Sequence, residues 1–455
     1  MAWQQYLDSE QARFVQELLA FVRIRSVSAK PENIPDVVRA AEWVAQRLTA
    51  AGVEAAEVLP TDGHPVVCGH WLHAEGDKPT ILIYGHFDVR PAEPFELWDS
   101  PPFEPEVRDG RVWGRGASDD KVGMLVPILS VEALLEINGR LPVNVKFFFE
   151  GQKEIGSPDL PPFVAANAER LTADMNFSAD GLQYTRDQPQ IVEALKGLVK
   201  AEIVVQGPRS DQHSGLHGGG IANPAMALAH LLASMKSAGG LVTVEGFYDD
   251  VVPLTEADRA AIARIPYEEA AYLAETEAPA VFGEPGCTTR ERLWARPTLD
   301  LNGLTSGWQG IGSKTLHPAE IRAKITCRLM AAQNPAKILA ALAAHVQAHC
   351  PAGVTAELEP GQGGAGPFLV PSEHNATGIA ARVLEEVYGK APYRTRLGGS
   401  IPVITTLLEV LGVHAVMFGF KYDDENLHAP HEFFRLEAFR LGQAAYVRLL
   451  QRLGA

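Results

Sequence analysis

Short apolar runs that alternate with helical segments place the strongest limit on the fold of this chain. Residues 80–84 and 143–149 are apolar and rich in β-branched and aromatic side chains, as buried strands are. The segment between them at 120–136 has helical spacing, and a further apolar run at 414–420 precedes a helical segment at 433–450. Strands that alternate with helices predict an α/β domain whose mainly parallel sheet is flanked by helices.

The middle of the chain has a different pattern. Residues 198–206 alternate between apolar and polar side chains, which is typical of a half-exposed strand. A glycine-rich stretch at 361–366 is consistent with a linker that returns to the first domain. We therefore predict two domains, a larger one formed by residues 1–195 and 370–455 and a smaller α+β domain inserted at 196–369.

Composition and charge argue against several classes of protein. The 455 residues carry a formal net charge of −16, whereas nucleic-acid-binding proteins usually present a basic face. No apolar run approaches the roughly 20 residues that span a bilayer, and the first residues lack the features of a signal peptide. The four cysteines form no CxxC pair and are expected to be reduced. We therefore expect a cytoplasmic protein without nucleic-acid or membrane partners.

Ionisable side chains follow several of the predicted strands and open one of the helices. Ligands bind at the carboxyl ends of strands in open α/β sheets, so we expect these side chains to converge at one sheet edge. Mixed imidazole and carboxylate ligands are typical of zinc, with manganese or cobalt as alternatives. The candidate metal ligands are His86, Asp119, Glu154, Asp180 and His428.

Each of these residues also has a simpler structural interpretation. A single histidine after a strand is usually a hydrogen-bonded core or surface residue. Asp119, beside Asp120, could cap a helix, because acidic side chains accept hydrogen bonds from free N–H groups there. Glu154 and Asp180 could be solvated loop charges, and His428 could serve local packing. The metal site is favoured by the joint order of the residues and not by any one of them.

That order resembles the aminoacylase/carboxypeptidase/carnosine-dipeptidase family of di-zinc metallopeptidases, and within it the cytosolic nonspecific dipeptidases. The resemblance runs through nearly the whole chain. The matching motifs are GHFDV at 85–89, GRGASDDK at 114–121, EGQKEIGS at 150–157, SADG at 178–181, DQHSG at 211–215, GGSIP at 398–402 and NLHAPHE at 426–432. It implies a catalytic di-metal domain with an inserted lid or dimerisation domain. It also implies hydrolysis of the amide bond of dipeptides or N-acyl amino acids with a free carboxylate.

The resemblance assigns a role to each candidate ligand. Asp119 resembles the carboxylate that bridges two divalent metal ions, and the peptide bond after it is expected to be cis. His86 and Asp180 resemble the remaining ligands of one ion. Glu154 and His428 resemble those of the second ion.

Further roles concern the surroundings of the metals. Asp88 resembles the carboxylate that orients the first histidine ligand. His213 resembles a histidine that reaches the active site of the partner subunit, which implies a homodimer formed through the lid domain. Arg328 and the backbone of Gly399 and Ser400 resemble the receivers of the substrate's terminal carboxylate, a task that suits a guanidinium.

One position departs from the family pattern. Family members have a glutamate immediately before the equivalent of Glu154, and it acts as general base and then as general acid; this chain has Lys153 there. An ammonium cannot accept a proton at neutral pH. Either the catalytic base has been substituted and turnover is impaired, or Lys153 performs altered chemistry with a lowered pKa. We favour the first interpretation. The alternative function is a catalytically inactive homologue that binds metal and peptide.

Overall fold

The computed structural model describes residues 1–371 and 373–455, which form two compact units. The first unit consists of Met1–Glu193, Val370–Arg394 and Val403–Ala455, and the second of Ala194–Leu369 and Thr395–Pro402. The sequence predicted domain boundaries after residues 195 and 369. The corresponding boundaries of the structure lie after Glu193 and after Leu369.

The predicted domains differ from these units at residues 395–402, which the sequence analysis placed in the larger domain. They belong to the second unit because their polar groups bind residues of that unit. The hydroxyl of Ser400 donates a hydrogen bond to the main-chain oxygen of Lys196. The guanidinium of Arg396 lies 2.8 Å from the carboxylate of Asp258. Such long-range pairs leave no local signal in the sequence.

Helices and strands are numbered separately in chain order. The helices of the described residues are α1 Ala2–Val22, α2 Ile34–Ala50, α3 Val122–Asn138, α4 Leu160–Ala166, α5 Ala168–Leu171, α6 Ser214–His217, α7 Pro224–Met235, α8 Glu256–Ala263, α9 Glu269–Thr276, α10 Thr289–Ala295, α11 Pro335–Ala348, α12 Asn375–Tyr388, α13 Pro402–Leu411 and α14 Leu436–Leu453. The strands are β1 Glu54–Leu59, β2 Val66–Trp71, β3 Thr80–His86, β4 Glu106–Arg108, β5 Arg111–Trp113, β6 Asn144–Glu150, β7 Met175–Ser178, β8 Gln190–Leu195, β9 Gly197–Gln206, β10 Gln212–His213, β11 Thr298–Ser306, β12 Leu316–His317, β13 Glu320–Leu329, β14 Thr355–Pro360, β15 Phe368–Leu369, β16 Tyr393–Leu397, β17 Ala415–Met417 and β18 Phe433–Arg435.

The first unit is built on a six-stranded sheet in the order β1-β2-β6-β3-β7-β17. The four strands from β6 to β17 are parallel, and β1 and β2 add two antiparallel pairs at one side. The predicted α/β fold with a mainly parallel sheet is confirmed. Buried apolar side chains of the sheet and of α1, α3 and α14 form one continuous core. The C-terminal helix therefore belongs to the same core as the N-terminal one.

Helix α3 carries the chain away from the candidate ligand Asp119. Its side chains are apolar around nearly the whole circumference and are buried from Met124 to Leu134, as expected of a helix inside a core. It begins at Val122, two residues later than predicted, and ends at Asn138. The following residue, Gly139, has φ 66°, a left-handed conformation that glycine adopts readily.

The second unit contains a four-stranded antiparallel sheet in the order β11-β13-β9-β14, against which α7 and α11 pack. This is the smaller α+β unit that the sequence predicted. The glycine-rich stretch at 361–366, which the sequence indicated as a return linker, lies against this sheet. Its backbone hydrogen-bonds to β9, with Gly361 N donating to Lys200 O at 2.8 Å and Ala365 N donating to Leu198 O at 3.0 Å.

Throughout the described part of the chain, every helix is too short or too polar to cross a bilayer.

Packing of the C-terminal helix into the first unit can be tested with Phe439, which is fully buried on α14. We expect Phe439→Ala to lower the free energy of unfolding by about 3–5 kcal/mol, because it removes buried apolar surface and leaves a cavity. Phe95→Ala is the matched control, since Phe95 is 50% exposed. Denaturant unfolding curves measure both changes. Equal effects of the two substitutions would contradict this packing.

Candidate functional site

The parallel strands deliver the candidate ligands to one edge of the sheet. His86 ends β3 and pairs in register with Glu150 at the end of β6, so Glu154 follows close by. Tyr84 pairs with Ser178 at the end of β7, which is followed by Asp180. Parallel strands in register end at the same edge, so the residues that follow them come together.

The candidate ligands form two groups that share Asp119. In the first group, Nε2 of His86 lies 3.3 Å from Oδ1 of Asp119 and 3.8 Å from Oδ2 of Asp180. In the second group, Nε2 of His428 lies 2.9 Å from Oδ2 of Asp119 and 3.3 Å from Oε1 of Glu154. Ligands of one tetrahedral zinc ion at about 2.0–2.2 Å would lie about 3.3–3.6 Å apart. The donor types and spacings of both groups therefore fit a divalent metal ion.

Asp88 places two oxygen atoms beside one ring nitrogen of His86. Nδ1 of His86 lies 3.1 Å from the main-chain oxygen of Asp88 and 3.3 Å from its Oδ1. The Asp88 carboxylate also accepts hydrogen bonds from the backbone N–H of Lys153 and of Glu154, at 3.1 and 2.9 Å. With Nδ1 engaged in this way, Nε2 faces the shared aspartate, the arrangement that orients a metal-binding histidine.

A second buried carboxylate, Glu432, holds the loop that carries Asp119. It accepts hydrogen bonds from the backbone N–H of Gly116, Ser118 and Asp119, at 2.9–3.0 Å. It also pairs with the buried guanidinium of Arg115 at 2.6 Å. Glu432 is the last residue of the NLHAPHE motif, but the sequence predicted no role for it. Its position four residues after His428 was the only feature of the sequence that could have indicated this role. The residues that it binds lie about 315 positions away in the chain.

The Asp119–Asp120 peptide bond is cis, as the resemblance implied. Asp120 itself is fully buried and belongs to neither ligand group. Burial raises the pKa of the Asp120 carboxyl to about 8. Gly123 is required beside it, because a Cβ there would lie 2.0 Å from Oδ1 of Asp120.

Two lysines reach into the ligand groups. Nζ of Lys153 lies 3.3 Å from Asp119, 3.2 Å from Glu154 and 3.3 Å from Asp180. Nζ of Lys421 donates to Oδ1 of Asp119 at 2.6 Å and to Oδ1 of Asp180. The sequence analysis singled out Lys153 but missed Lys421. The available signal was its place directly after the apolar run at 414–420, beside the strand that leads to Asp180.

The carboxylates keep both lysines charged. Burial acts to lower the pKa of Lys153, but Asp119, Asp180 and Glu154 outweigh it and hold that pKa well above its usual value. Burial would raise the pKa of Glu154, yet the neighbouring Lys153 ammonium lowers it to about 2. An ammonium with three carboxylate neighbours is a poor proton acceptor at neutral pH.

The candidate receivers of a substrate carboxylate meet in the second unit. Nη1 of Arg328, on β13, donates to Oγ of Ser400 at 2.9 Å. Gly399 is exposed beside it. A cavity of about 320 Å³ next to Arg328 is lined by further basic side chains, among them Lys196, Lys236 and Arg296, and by the carboxylates of Glu284 and Asp300. Glu284 pairs with Arg296, and Asp300 pairs with Lys236.

His213 is exposed in the second unit, where β10 pairs with β12. Its Nδ1 accepts a hydrogen bond from Gly215 N at 3.0 Å and so caps the short helix α6. Within the described residues, its other ring nitrogen, Nε2, makes no hydrogen bond.

Two ligand groups that share one aspartate at the edge of a mainly parallel sheet are typical of enzymes that use two metal ions, and hydrolases are prominent among these. Residues 82–452 match the model of Peptidase family M20/M25/M40, and the chain belongs to this family of metallopeptidases.

Named relatives match over almost the whole chain. Cys-Gly metallodipeptidase dug1 of Schizosaccharomyces pombe is 29% identical over 99% of this chain and 97% of its own length. Human Beta-Ala-His dipeptidase is 28% identical over 94% of this chain and 87% of its own. The M20 family metallo-carboxypeptidase Sso-CP2 from Sulfolobus solfataricus has a similar structure. It shows a TM-score of 0.84 at 29% identity and covers 97% of this chain and 99% of that one.

The role of Glu432 in holding the Asp119 loop can be tested by Glu432→Gln, which preserves size and removes the charge. We expect the free energy of unfolding to fall by about 3–5 kcal/mol, because the buried Arg115 guanidinium loses its counter-ion. The matched control is Glu106→Gln, whose partner Arg108 is exposed, with an expected change of less than about 1 kcal/mol. Unfolding curves that coincide for the two variants would refute this role.

Proposed function

We propose that this chain hydrolyses the amide bond of dipeptides, or of N-acyl amino acids with a free carboxylate, in a metal-dependent reaction that Lys153 impairs. The observation that carries the proposal is the pair of ligand groups joined by Asp119. The Cys-Gly and Beta-Ala-His dipeptidases named above support the dipeptide as substrate class.

The donor set supports the choice of metal. Each group combines one imidazole with two carboxylates, which suits zinc and also admits manganese or cobalt. A divalent ion, when bound, would polarise the scissile carbonyl and favour attack by water. His86, Asp119 and Asp180 would hold it at one position, and Asp119, Glu154 and His428 at the other.

Further residues supply binding and orientation in the proposal. The Asp88 carboxylate fixes the ring of His86, and Arg328 with Ser400 receives the terminal carboxylate of the substrate. A proton must leave the attacking water and reach the departing nitrogen. Position 153, next to Glu154, is where a carboxylate could do both, and Lys153 does neither because its Nζ is already paired with three carboxylates.

The same pairing favours a second candidate function. A chain that keeps its metal ligands and its carboxylate receivers but lacks a proton acceptor would bind peptide without turnover. A substitution at position 153 distinguishes this candidate function from the impaired peptidase by experiment.

Replacement of Lys153 tests the proposal directly. We expect Lys153→Glu to raise kcat for dipeptide hydrolysis by about 10²–10⁴-fold, the usual contribution of a general acid–base. Lys153→Gln is the control, because it removes the ammonium without adding a base. Rates are compared at matched metal content. If Lys153→Glu and Lys153→Gln are equally slow, the chain is the inactive binder; if the unmodified chain is already as fast as Lys153→Glu, Lys153 does not impair it.

The carboxylate receiver can be tested by binding alone. We expect Arg328→Ala to weaken binding of a dipeptide about 10–100-fold, because a charged hydrogen bond is worth about 1.5–3 kcal/mol. A dipeptide with a C-terminal amide should bind equally to both forms. The control is Arg322→Ala on the same strand, whose partners are Glu202, Glu320 and Glu359. Calorimetric titration measures these affinities, and an unchanged affinity in Arg328→Ala would remove this residue from the site.

We also propose a homodimer formed through the second unit, with His213 acting at the partner's site. Strand β11 has β13 as its one neighbour among the described strands and so presents an open edge. Leu301 and Leu304 on this strand and Trp308 after it are 47%, 54% and 50% exposed. Exposed apolar side chains along an open strand edge are typical of an interface.

Sedimentation velocity tests the assembly. The expected mass is twice the 49.2 kDa of one chain. Leu304→Glu should yield monomers, because it places a charge in the interface, whereas Leu72→Glu, at a residue of the first unit that is 42% exposed, should not. A monomeric unmodified chain would contradict the proposed dimer.

The proposal places the reaction in the cytoplasm. All four cysteines are free thiols, which suits a reducing compartment.

A further inference from the structure

The ammonium of Lys421 lies inside the first ligand group. Its Nζ donates to Oδ1 of Asp119 at 2.6 Å and to Oδ1 of Asp180, and its side chain is 6% exposed. Oδ1 of Asp119 is also the oxygen that faces Nε2 of His86. Lys421 therefore contacts two of the three residues that would hold a metal ion in this group.

A metal ion in the first group would compete with this ammonium for the same oxygens. Bound to Oδ1 of Asp119 at about 2.0–2.2 Å, the ion would lie less than about 5 Å from Nζ of Lys421, which is 2.6 Å from that oxygen. The side chain is buried, so water screens the repulsion between the two cations poorly. Within the described residues, the hydrogen bonds of this Nζ go to Asp119 and Asp180 alone, so moving it would leave a buried ammonium unpaired.

The second ligand group is different. Lys421 makes no hydrogen bond or ion pair with Glu154 or His428 within the described residues. Glu154 does pair with Lys153, at 3.2 Å, and with Arg90, but the side chains of these two cations are 15% and 47% exposed. His428 is 45% exposed, which leaves a path for an ion from solvent.

Lys153 adds a second positive charge beside Asp180, a residue of the first group. Its Nζ lies 3.3 Å from Oδ2 of Asp180, so both oxygens of that carboxylate face an ammonium. Asp180 is a ligand of the first group alone. The first group is thus neutralised by the buried Lys421 and by Lys153, and the second by Lys153 and by Arg90, whose side chain is 47% exposed.

We propose that Lys421 takes the place of one metal ion, so that the chain holds a single divalent ion, at Asp119, Glu154 and His428. The inference rests on the metal-dependent function proposed above, but it lowers the number of divalent ions per chain from two to one. The chain's own ammonium neutralises the carboxylates of the first group.

The metal content of the purified chain tests this inference. After equilibration with excess Zn²⁺ and removal of free ion, elemental analysis should find one ion per unmodified chain. Lys421→Met, which keeps the length of the side chain and removes its charge, should hold two. Lys153→Met is the matched control and should still hold one, because Lys421 remains.

Two further variants locate the gained ion. His86 is a ligand of the first group only, so Lys421→Met combined with His86→Ala should return to one ion per chain. His428→Ala in the otherwise unmodified chain should hold none. A retained second ion in the double variant would overturn the assignment of the gained ion to the first group.

Electron paramagnetic resonance with Mn²⁺ provides a second measurement. The spectrum of the unmodified chain alone is enough to test the inference. A single Mn²⁺ gives an uncoupled spectrum, whereas two ions about 3.5–4 Å apart couple magnetically. We expect the uncoupled spectrum for the unmodified chain and the coupled one for Lys421→Met. Two ions or none per unmodified chain would overturn the inference. One ion per chain with no dipeptide hydrolysis in Lys153→Glu would refute the proposed function and leave this inference standing.

Discussion

The buried carboxylate of Glu432 ties together the parts of the chain on which the site depends. It belongs to the C-terminal segment, and its two oxygens accept hydrogen bonds from three backbone N–H groups and a guanidinium of the 115–119 loop. A buried charge of this kind is tolerated only when it is fully paired, so its partners fix one geometry. The C-terminal segment must therefore be packed against the 115–119 loop for Asp119 to be held in place between the ligand groups.

Charge balance is the second constraint on the site. The three carboxylates of Asp119, Glu154 and Asp180 lie in one buried cluster, and such a cluster requires cations. Two divalent ions would meet that need in the arrangement that the resemblance implies. In this chain Lys153 and Lys421 already supply two positive charges at contact distance, and Arg90 pairs with Glu154. A dication about 5 Å from an ammonium is repelled by roughly 7 kcal/mol at an effective dielectric constant of about 20.

The same fold can thus host a site whose chemistry depends on a few side chains. In the proposed function, the residues at the strand ends and the shared aspartate bind metal, and the second-unit pair of Arg328 and Ser400 receives a carboxylate. In this chain, positions 153 and 421 place two positive charges inside the candidate ligand groups. Membership in a metallopeptidase family describes the framework, whereas the chemistry of a site depends on its particular side chains.

The sequence by itself determined the α/β class, the inserted smaller unit and all five candidate ligands, because strand periodicity and motif order are local features of the chain. Lys153 was also visible, as a departure within a motif. Only the tertiary structure decided which oxygen of Asp119 faces which group, and that residues 395–402 belong with the second unit. It also decided the roles of Glu432 and Lys421. Both act on partners hundreds of positions away, and contacts that the fold creates between distant segments leave no periodic signal in the sequence.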